Sequence, residues 1–237
     1  MVVIAACVAL VLLGVMIVIK WGGPVPETPV SPVSTMGGSP NPGSEGLLKY
    51  VLIAFSVGPV AAVLAAGAGG RLVMRLLAAT SPEAKGRLTE AGEVVGRITA
   101  GGTLGFIFFA AFVGGIVSGV FYVLVGPGLP RGRAGGVALG VLLLVVAGSR
   151  LEPLVPTNPD FGLVGPAWLS VLAFTTLGLF QGMLMAALAA WARARLGVSP
   201  HRWRPRLITV DRIAVLGVLL VALPGFVAAL GEILGAG

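Results

Sequence analysis

Apolar residues in this chain fall in long blocks, not in the alternating or one-faced patterns of a soluble fold. Residues 2–19 carry no charged side chain, and Lys20 and Trp21 follow as an interfacial anchor. At about 1.5 Å per residue, a helix of that length crosses the hydrocarbon core of a bilayer. Further apolar blocks at 47–79, 98–125, 134–149, 167–191 and 213–234 predict about six spans in all. The block 134–149 is the shortest, roughly 24 Å as a helix, so a re-entrant segment is its alternative reading. Gly58-Pro59 predicts a kink, because proline removes a ladder donor inside the second span. Close helix approach is expected at Gly101-x-x-x-Gly105, at Gly115-x-x-x-Gly119 and along Gly178, Gly182, Ala186 and Ala190.

The polar punctuation divides the chain. Residues 1–21 form an N-terminal membrane anchor helix. Residues 22–46, rich in Pro, Gly, Ser and Thr, cannot bury a core and read as a flexible linker. Residues 47–237 form the transmembrane helical bundle. Between the second and third spans, Ser81, Pro82 and Glu83 read as a helix start. On a helical wheel Ala84, Leu88, Ala91, Val95 and Ile98 share one face, and Glu83, Arg87, Glu90, Glu93 and Arg97 share the opposite one. This predicts an interfacial amphipathic helix, with Glu83/Arg87 and Glu93/Arg97 contributing only a few tenths of a kcal/mol each. The expected fold class is therefore all-α: a polytopic transmembrane helical bundle with one helix lying at the interface.

Composition sharpens this. Charged residues make up 11% and hydrophobic residues 57% of the 237. A soluble domain carries about 25% charged residues, so most of this surface must face lipid. The net charge is +7. The cations sit between spans, where they act as topology signals and contacts to anionic lipid headgroups, not as a nucleic-acid surface. With six crossings, ten Lys and Arg residues fall in the loops after spans one, three and five, and six fall on the other side. The positive-inside rule then places both termini outside the cytoplasm. Cys7 is the sole cysteine and His201 the sole histidine, which excludes an intrachain disulfide and cysteine- or histidine-cluster metal sites.

Two groups of residues are candidates for function. Parity brings the loop after span two and the loop 151–166 to one membrane face, carrying Arg71, Arg75, Glu90, Glu93, Arg97, Arg150, Glu152, Asn158 and Asp160. That polar face could receive a small ligand, a lipid headgroup or a partner, or simply salt-bridge the loops. The second group is the basic loop after span five, with Arg193, Arg195, Arg202, Arg204 and Arg206, suited to anionic lipid or an acidic partner. The middles of the spans hold almost no charge, which disfavours an ion-coupled pump. Gln181, Thr175 and Thr176 are the polar content of span five. One histidine in a loop, with Asp160 and Asp211 on opposite sides, leaves no arrangement for hydrolysis. No catalytic residue, cofactor or metal is expected.

The runs GRLVMRLLAATSPEAKGRLTEAGEVVGRITAGGTLGF (70–106) and NPDFGLVGPAWLSVLAF (158–174) resemble a group of uncharacterised multi-pass membrane proteins of high-GC bacteria. The resemblance covers roughly 47–191. It implies an envelope location and a helical bundle, and no activity. The expected role is a non-enzymatic accessory or scaffold component of the bacterial cell membrane, whose partners are the lipid bilayer, anionic headgroups and another membrane protein. The alternative is a small transporter or channel for uncharged or lipid-like cargo.

Overall fold

A computed structural model of the chain describes residues 2–23, 42–89, 92, 94–97, 99–150, 154–198 and 207–235. Helix α1 is Val2–Trp21. Helix α2 runs without a break through Pro42–Ala62, a π-helical segment Val63–Gly69 and Gly70–Ala79. Helix α3 likewise joins Ala100–Phe109, a π segment Ala110–Gly114 and Gly115–Val125. Helix α4 joins Arg133–Leu143 to a π segment, Leu144–Gly148. The short α5 is Asp160–Leu163, α6 is Ala167–Leu196 and α7 is Leu207–Gly235. Five of these helices are long and apolar enough to cross a membrane, and α4 is a shorter apolar helix. The protein is an all-α, multi-pass membrane bundle.

Side-chain contacts fix two ends. At the linker end, Trp21 stacks on Trp191 with ring centroids 5.1 Å apart. There Arg133 donates to the Ile19 carbonyl at 3.3 Å, and Tyr50 stacks on Tyr122 at 5.5 Å. At the loop end, Leu144, Leu154, Ala167 and Ile233 form a small core with Phe161 and Phe226 packed against it. Helix α4 starts beside α1 at the first end and finishes in this cluster at the second. It therefore runs from one end of the bundle to the other.

Helix α2 is central: 56% of its crossing window is buried, against 17% for α1 and for α7. The linker expected at 22–46 lies largely outside the described residues, but its last residues are helical, because α2 begins at Pro42. Lys49 and Glu45 pair across this first turn at 2.5 Å. Pro59 sits inside α2, and the wider π turn follows shortly after the ladder bond that proline cannot make. Helix α1 packs into the bundle as well. A Cβ on Gly14 would meet Phe180 Cζ at 2.9 Å, and Val18 belongs to the main core.

Glycine sets how closely the helices cross. A Cβ on Gly58 would lie 2.5 Å from the Gly115 carbonyl oxygen, and one on Gly115 would lie 2.7 Å from Pro59 Cα. This is a backbone-to-backbone crossing of α2 and α3. Helices α4 and α6 cross in the same way: a Cβ on Gly136 would meet Met183 Cα at 2.7 Å, and one on Gly140 would meet Leu179 Cα at 2.7 Å. On the α6 side, Gly182 lies against the backbone of Gly140 and Gly178 against the Leu144 side chain. In lipid, such close approach supplies the dispersion that the hydrophobic effect does not. The other predicted motif behaves differently. Among the described residues, nothing lies within 4 Å of a Cβ on Gly101 or Gly105, so none of them covers that face of α3.

The interfacial amphipathic helix is the main correction. Among the described residues, the segment after α2 forms a 3₁₀ turn at Pro82–Ala84 and an isolated antiparallel bridge between Leu88 and Val94. Val95 donates to the Arg87 carbonyl at 2.9 Å and Gly86 to the Val95 carbonyl at 3.2 Å. Gly86, Gly92 and Gly96 take φ of +87°, +74° and +82°. A glycine inside a helix costs about 1 kcal/mol relative to alanine, and three in one stretch favour turns at positive φ instead. Ala84 and Val95 still point inward, whereas Leu88 is exposed.

Candidate polar face at the loop end

The end of α2 supplies the first two candidate residues. Arg71 lies about two turns before the helix ends. Its Nη2 donates to the Gly102 carbonyl, and its guanidinium lies over the Phe106 ring, 4.9 Å from the centroid. Arg75, one turn on, donates from Nη1 to the Gly96 carbonyl at 3.3 Å. The bonds that place these arginines thus go to backbone carbonyls on the way into α3. Thr99 caps that helix, its hydroxyl accepting from the Gly102 N–H at 3.1 Å.

Ser81 ties the two loops together. It is 2% exposed, and its hydroxyl accepts from the Gly165 N–H just before α6. A Cβ on Gly165 would press on Leu77 of α2 at 2.7 Å, and its φ is +73°. In the second loop, Asn158 Oδ1 accepts from the Asp160 N–H at 2.8 Å and starts α5. Leu154, fully buried, donates its N–H to the Gly148 carbonyl at 2.7 Å.

The face is therefore partly assembled. Arg71 and Arg75 converge on 96–106. Asn158 and Asp160 belong to the α5 turn, joined to the first group through Ser81 and Gly165. Arg150 is exposed, and its Nη2 lies 3.9 Å from where a Cβ on Gly225 of α7 would be. Arg97 is exposed. Glu90, Glu93 and Glu152 lie outside the described residues. Lys85 was not among the expected residues. It joins Arg75, Ala78, Ala79, Pro82 and Gly96 around a surface depression of about 270 Å³. The closely spaced Gly86, Gly92 and Gly96 were the signal for a folded-back loop that would bring Lys85 there.

At the linker end, Arg193 and Arg195 sit on the last turn of α6, not in a loop. Gly197, at φ +62°, ends that helix with its N–H on the Arg193 carbonyl. Arg193 lies over the Tyr122 ring at 5.9 Å and Arg195 over Trp191 at 5.7 Å. Cations there also complement the helix C-terminus. Arg202, Arg204 and Arg206 lie outside the described residues.

Within the spans, Gln181 is 7% exposed and its Nε2 donates to Ser118 Oγ at 2.9 Å. Gln181 Oε1 has no hydrogen-bond partner in the structure. Leu184 and Met185, on the next turn of α6, are fully buried. Among the described residues, no three His, Cys, Asp or Glu side chains come together as a metal site. Comparison of the chain with protein-family models, with curated proteins and with solved structures finds no match.

Proposed function

We propose that this membrane protein is a non-enzymatic accessory or scaffold component of a bacterial cell membrane. The observation that carries the reading is the closed interior. Gln181, near the middle of α6, is buried and bonded to Ser118, and Leu184 and Met185 on its next turn are fully buried. The helices around it meet backbone to backbone at Gly140 and Gly182. The folded-back segment after α2 and the α5 turn, tied together by Ser81 and Gly165, then offer a surface for another membrane protein. Photo-crosslinkers at Leu88 and Thr157, both exposed, test this in intact cells. The expected result is one discrete crosslinked species from both positions. Lipid adducts alone at both positions would contradict it.

A second reading, passage of an uncharged or lipid-like solute, is favoured by one observation. Gln181 Oε1 is a buried acceptor with no donor, a costly group to leave in lipid. Proteoliposome flux of neutral solutes, with Gln181→Leu as the comparison, decides between the two. The scaffold reading expects no protein-dependent flux.

A further inference from the structure

The depression at the end of α2 has a charge pattern that the scaffold reading does not use. Its two charged lining residues, Arg75 and Lys85, are both cations, and the remainder of its lining is Ala78, Ala79, Pro82 and Gly96. Small side chains leave the space open, and the two long ones reach into it from different segments. Arg75 is steadied by the Gly96 carbonyl, and the Lys85 stem passes 3.7 Å from where a Cβ on Gly96 would sit. Gly96, at φ +82°, is a conformation that side chains rarely adopt. Exposed Met74, Leu76 and Leu88 lie on the same two segments, α2 and the loop. A cationic recess at a bundle end, on segments that also expose apolar side chains, matches a headgroup with its acyl chains.

We propose that this recess binds the phosphodiester headgroup of an anionic membrane lipid, with Arg75 and Lys85 as its ligands. The inference stands apart from the scaffold reading and requires only that the bundle sits in a membrane. The C-terminal carbonyls of α2 point toward this region and disfavour an anion. Binding therefore depends on the two side chains, which makes their removal decisive.

The test is native mass spectrometry of the full chain in detergent, titrated with phosphatidylglycerol, with phosphatidylcholine and with inorganic phosphate as a competitor. Wild type is expected to retain phosphatidylglycerol in preference to phosphatidylcholine. Arg75→Gln and Lys85→Gln should each weaken retention about five-fold, and the double variant about twenty-five-fold. Lys49→Gln, at the opposite end, should leave it unchanged. Equal retention of both lipids by wild type, or displacement by millimolar phosphate, would overturn the assignment to an anionic lipid. If the double variant fails to fold, Lys85→Gln carries the test, since Lys85 is exposed and lines only the recess. Unchanged retention in that variant overturns the proposal.

Discussion

Helix α3 carries the same sequence motif twice, and the two copies have opposite fates. Gly115-x-x-x-Gly119 is closed against α2: Pro59 blocks any Cβ on Gly115, and Phe55 lies 3.2 Å from one on Gly119. Gly101-x-x-x-Gly105 has nothing within 4 Å of either added Cβ. Small residues permit close approach, but the partner helix decides whether it happens. On α2 the partner surface is itself Gly58-Pro59, so two backbones can meet. Opposite Gly101 and Gly105 the described residues bring no atom within that distance.

The contrast sets an order of expected effects. The largest belongs to the equivalent crossing of α4 and α6. Gly182→Val should cost about 3 kcal/mol, because the obstacle is the Gly140 backbone, which cannot rotate away. Loss of the monodisperse folded peak, or a fall of several degrees in Tm in detergent, is the readout. Gly115→Ala comes next, with a cost of about 2 kcal/mol as α2 and α3 are pushed apart. Its counterpart Gly105→Ala should be neutral or stabilising by roughly 0.5 kcal/mol, from helix propensity alone. Equal Tm shifts for these two alanines would break the comparison.

Smaller effects probe the linker end and the polar core. Trp21→Leu should cost about 1 kcal/mol through loss of the stack on Trp191, seen as faster crosslinking or proteolysis of α1. Gln181→Leu should change Tm least of the buried substitutions. It removes one bond to Ser118, worth roughly 0.6 kcal/mol in a membrane protein, but it also removes the unpartnered Oε1. A fall of more than about 2 kcal/mol there would mean that Gln181 has a role beyond packing.

How much of this was legible in the sequence varies by region. The spans were, because each long apolar block allows little other than a membrane helix: α1 and α3 begin and end close to the expected positions, whereas α6 runs on to Leu196 and α7 already starts at Leu207, each more than a turn beyond the apolar block. The glycine stripe on α6 was legible for the same reason. The segment after α2 was misread. Helical spacing of charged and apolar residues there is real, but Gly86, Gly92 and Gly96 outweigh it, and Val94 next to Val95 already broke the wheel. The polar face was half legible. Topology placed the loops on one side, but contacts such as Ser81 with Gly165 and Arg71 with the Gly102 carbonyl pair residues with backbone groups, which no charge pattern encodes.

The central claim is a bundle in which α4 crosses fully and both loop segments share one face, opposite the last turn of α6. Cysteine accessibility in intact cells tests it most directly. Single cysteines at Arg87, Thr157 and Arg195, all exposed, would be placed in a Cys7→Ala background. The account predicts that Arg87→Cys and Thr157→Cys label from the same side and Arg195→Cys from the other. Labelling of Arg87→Cys and Arg195→Cys from one side would contradict it, and the shared polar face would be lost with it.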